Sequence, residues 1–127
     1  MEINQIPHIK AKQISTKMYH TVIIDMDDNV WTCGDNMSGQ LGLGDYIDRR
    51  IPTKIPDIKA KQISAGTQHT IILDKDNNIW ACGNNKNGQL GMPKMMGNSA
   101  CKPTRIINIK GVKISAGNLT TVAIAVM

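Results

Sequence analysis

The residues with chemical potential in this 127-residue chain come in matched pairs. His20-Thr21 and His69-Thr70, Trp31 and Trp80, and Cys33 and Cys82 each stand 49 positions apart. So do two Asp/Asn-rich runs, 25–29 and 74–78, and two Gly-Gln-Leu-Gly runs, 39–42 and 88–91. A histidine beside a hydroxyl is the raw material of a general base. No Ser, Cys or carboxylate has a sequence reason to sit against either ring, however, and the ring recurs once per copy. A recurring His beside Thr reads instead as a tie between neighbouring strands, because a buried polar group must find a partner.

The other pairs reduce in the same way. Asp25-Met26-Asp27-Asp28-Asn29 and Asp74-Lys75-Asp76-Asn77-Asn78 begin like a calcium loop, which needs Gly at its sixth place and Glu at its twelfth. Those places hold Val30 and Asn36 in one copy, Ile79 and Asn85 in the other. The runs are read as tight turns, for which Asp and Asn tolerate the left-handed backbone. Gly34 and Gly39, like Gly83 and Gly88, have the spacing of a phosphate-binding loop. That loop then requires Lys and Ser or Thr, and a helix start behind it. Here Gln-Leu follows and no helical window exists, so the expectation is a glycine-pinned corner. Trp31 and Trp80 are expected to anchor the core between sheets. The three cysteines, Cys33, Cys82 and Cys101, form no Cys-x-x-Cys and read as small apolar residues in a reducing compartment. Catalytic residues, metal and cofactor are all expected to be absent.

What remains is charge and loops. The chain carries 15 basic and 10 acidic side chains, a net charge of +5. Lys10, Lys59 and Lys110 are equivalent in successive copies, with Lys12, Lys61 and Lys113 close by, so they should line one rim as a basic stripe. Such a stripe suits nucleic-acid phosphates or an acidic protein; its plainer reading is a solvated edge guarded by lysine. The loops 44–51 and 92–101 are the other candidates, the second holding Met92, Met95 and Met96, whose side chains adapt to varied apolar partners.

These residues are positioned by a repeat. From Ile9 and Ile58 onward, 21 of 34 positions are identical, and a third copy begins at Ile109 with an offset of 51. Each copy predicts a short strand (12–15, 61–65, 113–116), then a hairpin (20–25 with 30–34; 69–74 with 79–83), then the glycine-bounded loop and a strand opened by Pro52 or Pro103, as suits an edge. The strands do not alternate cleanly. Ile71 and Leu73 face one side, Ile72 and Thr70 the other, which predicts a sheet covered on both faces by other sheets. Four short strands per unit is the inventory of a propeller blade.

The pattern Ala-Gly-x-x-His-Thr, Asp-x-Asp-x-Asn-Ile-Trp-x-x-Gly, Asn-x-x-Gly-Gln-Leu-Gly, then Pro-Thr resembles the regulator of chromosome condensation repeat. The resemblance implies an all-β fold: a partial β-propeller of two complete four-stranded blades plus part of a third. The expected division is one repeat domain, 1–127, with repeats at 1–51, 52–102 and 103–127. Cys33 and Cys82 stand where the family usually has Trp before Gly, Trp31 and Trp80 take its Tyr-like position, and Thr120 replaces the His of the third copy. Open blades at the ends predict a piece of a longer protein, a decayed gene product or self-assembly through open blade edges. The expected function is a non-catalytic protein–protein interaction module with a protein partner. The family's best-known activities give the alternative: guanine-nucleotide exchange on a small GTPase with docking on chromatin, or nucleic-acid binding through the lysines. No signal peptide and no apolar run long enough for a membrane span are visible, so an intracellular setting is expected.

Overall fold

The computed structural model describes residues 8–86, 98–110, 113–116 and 121–124. The chain is all-β, with strands β1 (Ala11–Lys17), β2 (His20–Asp25), β3 (Asn29–Gly34), β4 (Arg49–Ala65), β5 (His69–Asp74), β6 (Asn78–Asn84), β7 (Ser99–Lys110), β8 (Lys113–Ala116) and β9 (Thr121–Ile124). All pairings are antiparallel, and β1 to β7 follow one another in sequence order. Strands β8 and β9 form a separate pair.

Both hairpins form where the Asp/Asn runs place them. Asp28 and Asn77 each take φ 68°, the left-handed backbone that Asp and Asn tolerate best among side-chain-bearing residues. The Asp25 carboxylate closes the first turn by accepting from the backbone N–H groups of Asp27 and Asn29, both at 2.9 Å. Asp74 repeats this with Asp76 and Asn78 at 2.8 Å.

One element differs from the sequence expectation. The strand opened by Pro52 and the strand at 61–65 are a single 17-residue strand, β4. Its first part pairs with β3, through Thr53 opposite Thr32 and Lys54 opposite Trp31; its second part pairs with β5, through Ala60 to Ala65. The first blade therefore closes within β4, and residues 52–54, placed at the head of the second repeat in the sequence division, hydrogen-bond into the first sheet. Asp57, at φ 61°, makes the bend between the two halves. Pro52 sits in the register shift between Thr53 and Arg49 on an outer strand, where its missing N–H costs no ladder bond.

Apolar residues fill both gaps between sheets, as the non-alternating pattern requires. Val22, Ile24, Val30, Ile55, Ile58, Ala60, Ala65 and Ile72 form one core, with Leu43, Ile63 and Trp80 packed against it. Ile71, Leu73, Ile79, Ala81, Ile106 and Ile114 form the next. The second blade contributes to both, Ile72 on one side, Ile71 and Leu73 on the other. No helix among the described residues is long and apolar enough to cross a membrane.

Candidate functional site

The recurring His, Thr, Cys and Gly-Gln-Leu-Gly residues meet at the joint between the first two blades. The corner at 35–42 reaches from β3 of the first blade onto β5 and β6 of the second. There the Gln40 carbonyl accepts from the Thr70 hydroxyl at 2.6 Å and from the Cys82 thiol at 3.4 Å. The Thr70 oxygen also lies 2.9 Å from His20 Nε2. Because the Thr70 hydrogen points to Gln40, His20 Nε2 must be the donor. The chain of bonds is thus His20 N–H to Thr70 O–H to the Gln40 carbonyl, which fixes the imidazole as the Nε2 tautomer.

Electrostatics agree with this assignment. Burial, with His69 nearby, pushes His20 down to about 4. Its Nδ1 has no hydrogen-bond partner among the described residues, so a second ring proton would have nowhere to go. Burial likewise pushes the Cys82 thiol up to about 12. The lowered His20 is a weak base, and the Cys82 thiol stays protonated rather than becoming a thiolate.

The corner holds its shape through Asn36, which is fully buried. Its amide nitrogen donates to the Asp45 and Ile47 carbonyls at 3.0 Å, and its side-chain oxygen accepts from Leu41 N at 3.0 Å. Glycine at position 39 is required by packing: at φ 80°, a Cβ there would lie 2.6 Å from the Cys101 Cα on the facing blade. The Gly44 N–H donates to the Cys101 carbonyl at 2.8 Å, completing the attachment. Leu41 is fully buried, and its carbonyl accepts from Thr32 at 2.8 Å.

The tryptophans are only partly buried. Each indole donates to the turn aspartate of its own hairpin at 2.8 Å, Trp31 to Asp25 and Trp80 to Asp74. Burial works to raise both carboxyls, but the indole and the turn N–H groups hold them below their ordinary value. Trp80 packs against the core between the blades, as expected; Trp31 occupies the same position on the uncovered side of the first blade. The aspartates are thus occupied by turns, and among the described residues no cluster of His, Cys, Asp and Glu could hold a metal.

The lysine rim is less basic than its sequence suggests. Lys10 is exposed. Lys59 donates to the Asp27 carbonyl at 3.1 Å and to the Asn29 side chain at 2.7 Å. The Lys110 side chain lies outside the described residues, though its backbone stands opposite Asn78 as Lys59 stands opposite Asn29. Lys12 and Lys75 both pair with Asp28 and hold its carboxyl below the usual range. The hairpin turns thus interleave acid with base along that rim. Of the candidate loops, 44–51 is described and its Asp45 binds Arg49 at 2.7 Å; Met92, Met95 and Met96 lie outside the described residues.

The family model "Regulator of chromosome condensation (RCC1) repeat" matches residues 27–73 and 76–124, and a second model of the same description matches 60–89. The chain belongs to the regulator of chromosome condensation repeat family. No curated protein matches the chain in sequence. Among solved structures, yeast RCC1 (Prp20) with Kap60 bound is similar at 25% identity and a TM-score of 0.81, over 91% of this chain and 30% of that one. Prp20p from Saccharomyces cerevisiae, described with its binding properties to Gsp1p and histones, gives 19% identity and a TM-score of 0.82 over 96% and 33%. Human WBSCR16 gives 18% and 0.82 over 97% and 33%. The repeats are blades of a β-propeller, and the chain spans about a third of the chains it resembles.

Sequence reasoning singled out His20, Thr70 and Cys82 but not the Gln40 backbone carbonyl that Thr70 and Cys82 share as acceptor. Its only signal was the recurrence of Gln40 at Gln89. Gln13, whose side chain donates to the Lys61 carbonyl of the next blade at 2.7 Å, was also passed over, although Gln62 repeats it.

Proposed function

We propose that the chain is a non-catalytic protein-binding module, working in an intracellular setting. The observation that carries this reading is that the recurring polar residues are engaged in joints and turns, where burial makes the joint's histidine a weak base and keeps its thiol protonated. What is left for a partner is surface. The end of the first blade bearing the β1–β2 turn and the corner 35–48 exposes Met18, Tyr19, Met37, Tyr46 and Ile47, with Arg50 beside them. Aromatic residues, Met and Arg are the residues enriched at protein interfaces. The opposite end, with its hairpin turns, is charged and mixed in sign. A binding partner is therefore expected at the apolar end. The test is an affinity comparison of the wild-type chain with Tyr19→Ser/Met37→Ser: partners retained by the first and released by the second support the reading. A measured turnover with no partner retained by either overturns it.

A second reading is nucleotide exchange on a small GTPase with chromatin or nucleic-acid contact. It draws on the structural likeness to Prp20p, described with Gsp1p and histones, and on the rim of Lys10, Lys59 and Lys110. The ion pairs of Lys12 and Lys75 with Asp28 work against a strong phosphate-binding stripe. It predicts faster release of labelled GDP from the GTPase, or DNA binding that weakens steeply with salt and is reduced by Lys10→Ala and Lys59→Ala. Unchanged release and no salt-sensitive binding dismiss it.

A further inference from the structure

Strand β4 changes sheets beside a cavity. From Lys54, opposite Trp31, to Lys59, opposite Asn29, β4 advances five residues while β3 advances two. The surplus leaves the ladder as a bulge, with Asp57 in the left-handed backbone at φ 61°. Against this bulge lies a cavity of about 330 Å³, at the small end of the range for ligand pockets. Leu43, Ile55, Ile58, Trp80 and Pro103 give it apolar walls, and Asp57 and Lys102 also line it. Ile55 and Ile58 are buried, Leu43, Trp80 and Pro103 half-buried, and the two charged residues exposed. The apolar part is therefore the deep part and the charges stand at the mouth. The Trp80 indole N–H is held by Asp74 at 2.8 Å, so the ring offers the cavity its carbon surface rather than a donor.

The repeat separates scaffold from addition here. Ile55 recurs as Ile6 and Ile106, Trp80 as Trp31, and Pro103 as Pro52. The charges do not recur. The place of Asp57 is held by His8 in the first copy and Asn108 in the third, and the place of Lys102 by Ile51 in the copy before. The repeat is thus written without either charge, and both occur at this one joint. Neither takes part in an ion pair among the described residues, with each other or with a third group. Asp57 comes from the crossing of β4 and Lys102 from β7, so the two poles stand on different strands with the apolar cavity between them.

We propose that this cavity binds a free α-amino acid with a large apolar side chain. The side chain enters among Leu43, Ile55, Ile58 and Pro103 and lies against the Trp80 ring. The α-carboxylate meets the Lys102 ammonium, and the α-ammonium meets the Asp57 carboxylate. Both charges are needed to account for both residues. The N-terminal residue of a peptide lacks the free carboxylate and a C-terminal residue lacks the free ammonium, so the free amino acid is the occupant that matches. The site lies at the joint between the blades, away from Tyr19 and Met37, and stands or falls independently of the partner-binding end.

The test is calorimetric titration of the full chain with L-phenylalanine. The expected result is saturable binding with a dissociation constant of about a millimolar or below, as suits so small a ligand. L-Phenylalaninamide, which keeps only the ammonium, and N-acetyl-L-phenylalanine, which keeps only the carboxylate, should each bind about tenfold more weakly or worse. Asp57→Asn and Lys102→Gln should each weaken L-phenylalanine by a similar factor. Asp57→Asn installs the side chain that the third copy carries at Asn108 and tolerates the left-handed backbone, so both variants should keep the wild-type melting temperature in the absence of ligand. No saturable binding of L-phenylalanine overturns the proposal. So does equal binding of either blocked analogue, or binding that either substitution leaves unchanged.

Discussion

Cys82 and Cys33 are the same residue of the same repeat, as are Thr70 and Thr21, yet they live in different surroundings. At the second blade the pair is buried beneath the Gln40 carbonyl; at the first the pair borders an open groove, and the Thr21 hydroxyl donates to Thr16 at 3.4 Å. The contrast separates what a residue is from what it does. Thr and Cys at these positions act only when a neighbouring blade brings them an acceptor, so the motif belongs to the joint between repeats rather than to the repeat itself.

The comparison can be broken most severely at the corner. Gly39→Ala places a Cβ 2.6 Å from the Cys101 Cα, a backbone atom that cannot turn aside. The expected loss is more than about 4 kcal/mol of unfolding free energy by urea titration. Gly44→Ala, which meets only the Lys102 side chain at 3.2 Å, should cost about 1 kcal/mol through its positive φ alone.

Acid should act on the filled joint next. His20 is neutral when folded and lowered to about 4, against an ordinary value of 6.5. Between those values the unfolded chain binds more protons than the folded one, so stability falls as pH drops from about 6.5 to about 4, by up to roughly 3 kcal/mol. His20→Gln should flatten that part of the profile in pH-dependent urea melts, provided the melts are corrected for titration of the carboxylates.

Thr70→Val and Thr21→Val sharpen the contrast directly. The first removes the donor to the Gln40 carbonyl and strands His20 Nε2, at an expected cost of about 2–3 kcal/mol. The second should stay within about 0.5 kcal/mol of wild type. Equal losses would show that the groove beside Thr21 is covered in solution. A small effect of the opposite sign is expected at the β1–β2 turn. The second blade has Gly66 before its turn, where the His69 ring lies over the glycine, whereas the first blade has Lys17 and takes its bend at Met18 with φ 51°. Met18→Gly should gain at most about 1 kcal/mol by relieving that backbone, seen as a small rise in melting temperature.

Much of this was legible in the chain. The turn aspartates and asparagines marked both hairpins, since few other residues accept φ 68°. The apolar residues on both faces of 69–74 foretold a blade covered on two sides. The continuity of β4 was hidden because the strand opened by Pro52 and the strand at 61–65 read as separate elements, and only the pairing shows that one outer strand becomes the next inner one. The Gln40 role was hidden for a different reason: a backbone carbonyl has no residue type, so only its side chain's recurrence hinted at it. The lysine rim was legible as charge but not as pairing, because sequence displays Lys12 but not the Asp28 carboxylate it shares with Lys75.

The shared strand β4 has a consequence for how such chains can change length. Between the proline near its start and the isoleucine at its crossing, the first two copies have the same spacing, Pro52 to Ile58 and Pro103 to Ile109. From the Gly-Gln-Leu-Gly corner to that proline the spacing differs, from Gly42 to Pro52 against Gly91 to Pro103, and this accounts for the change of offset from 49 to 51. An added residue at the crossing would turn each later side chain of the strand to the opposite face, while one added after the corner only lengthens a surface loop. Insertions should therefore be rejected at 55–60 and, after the corner, accepted only where they leave Gly44 on Cys101 and Asp45 and Ile47 on Asn36.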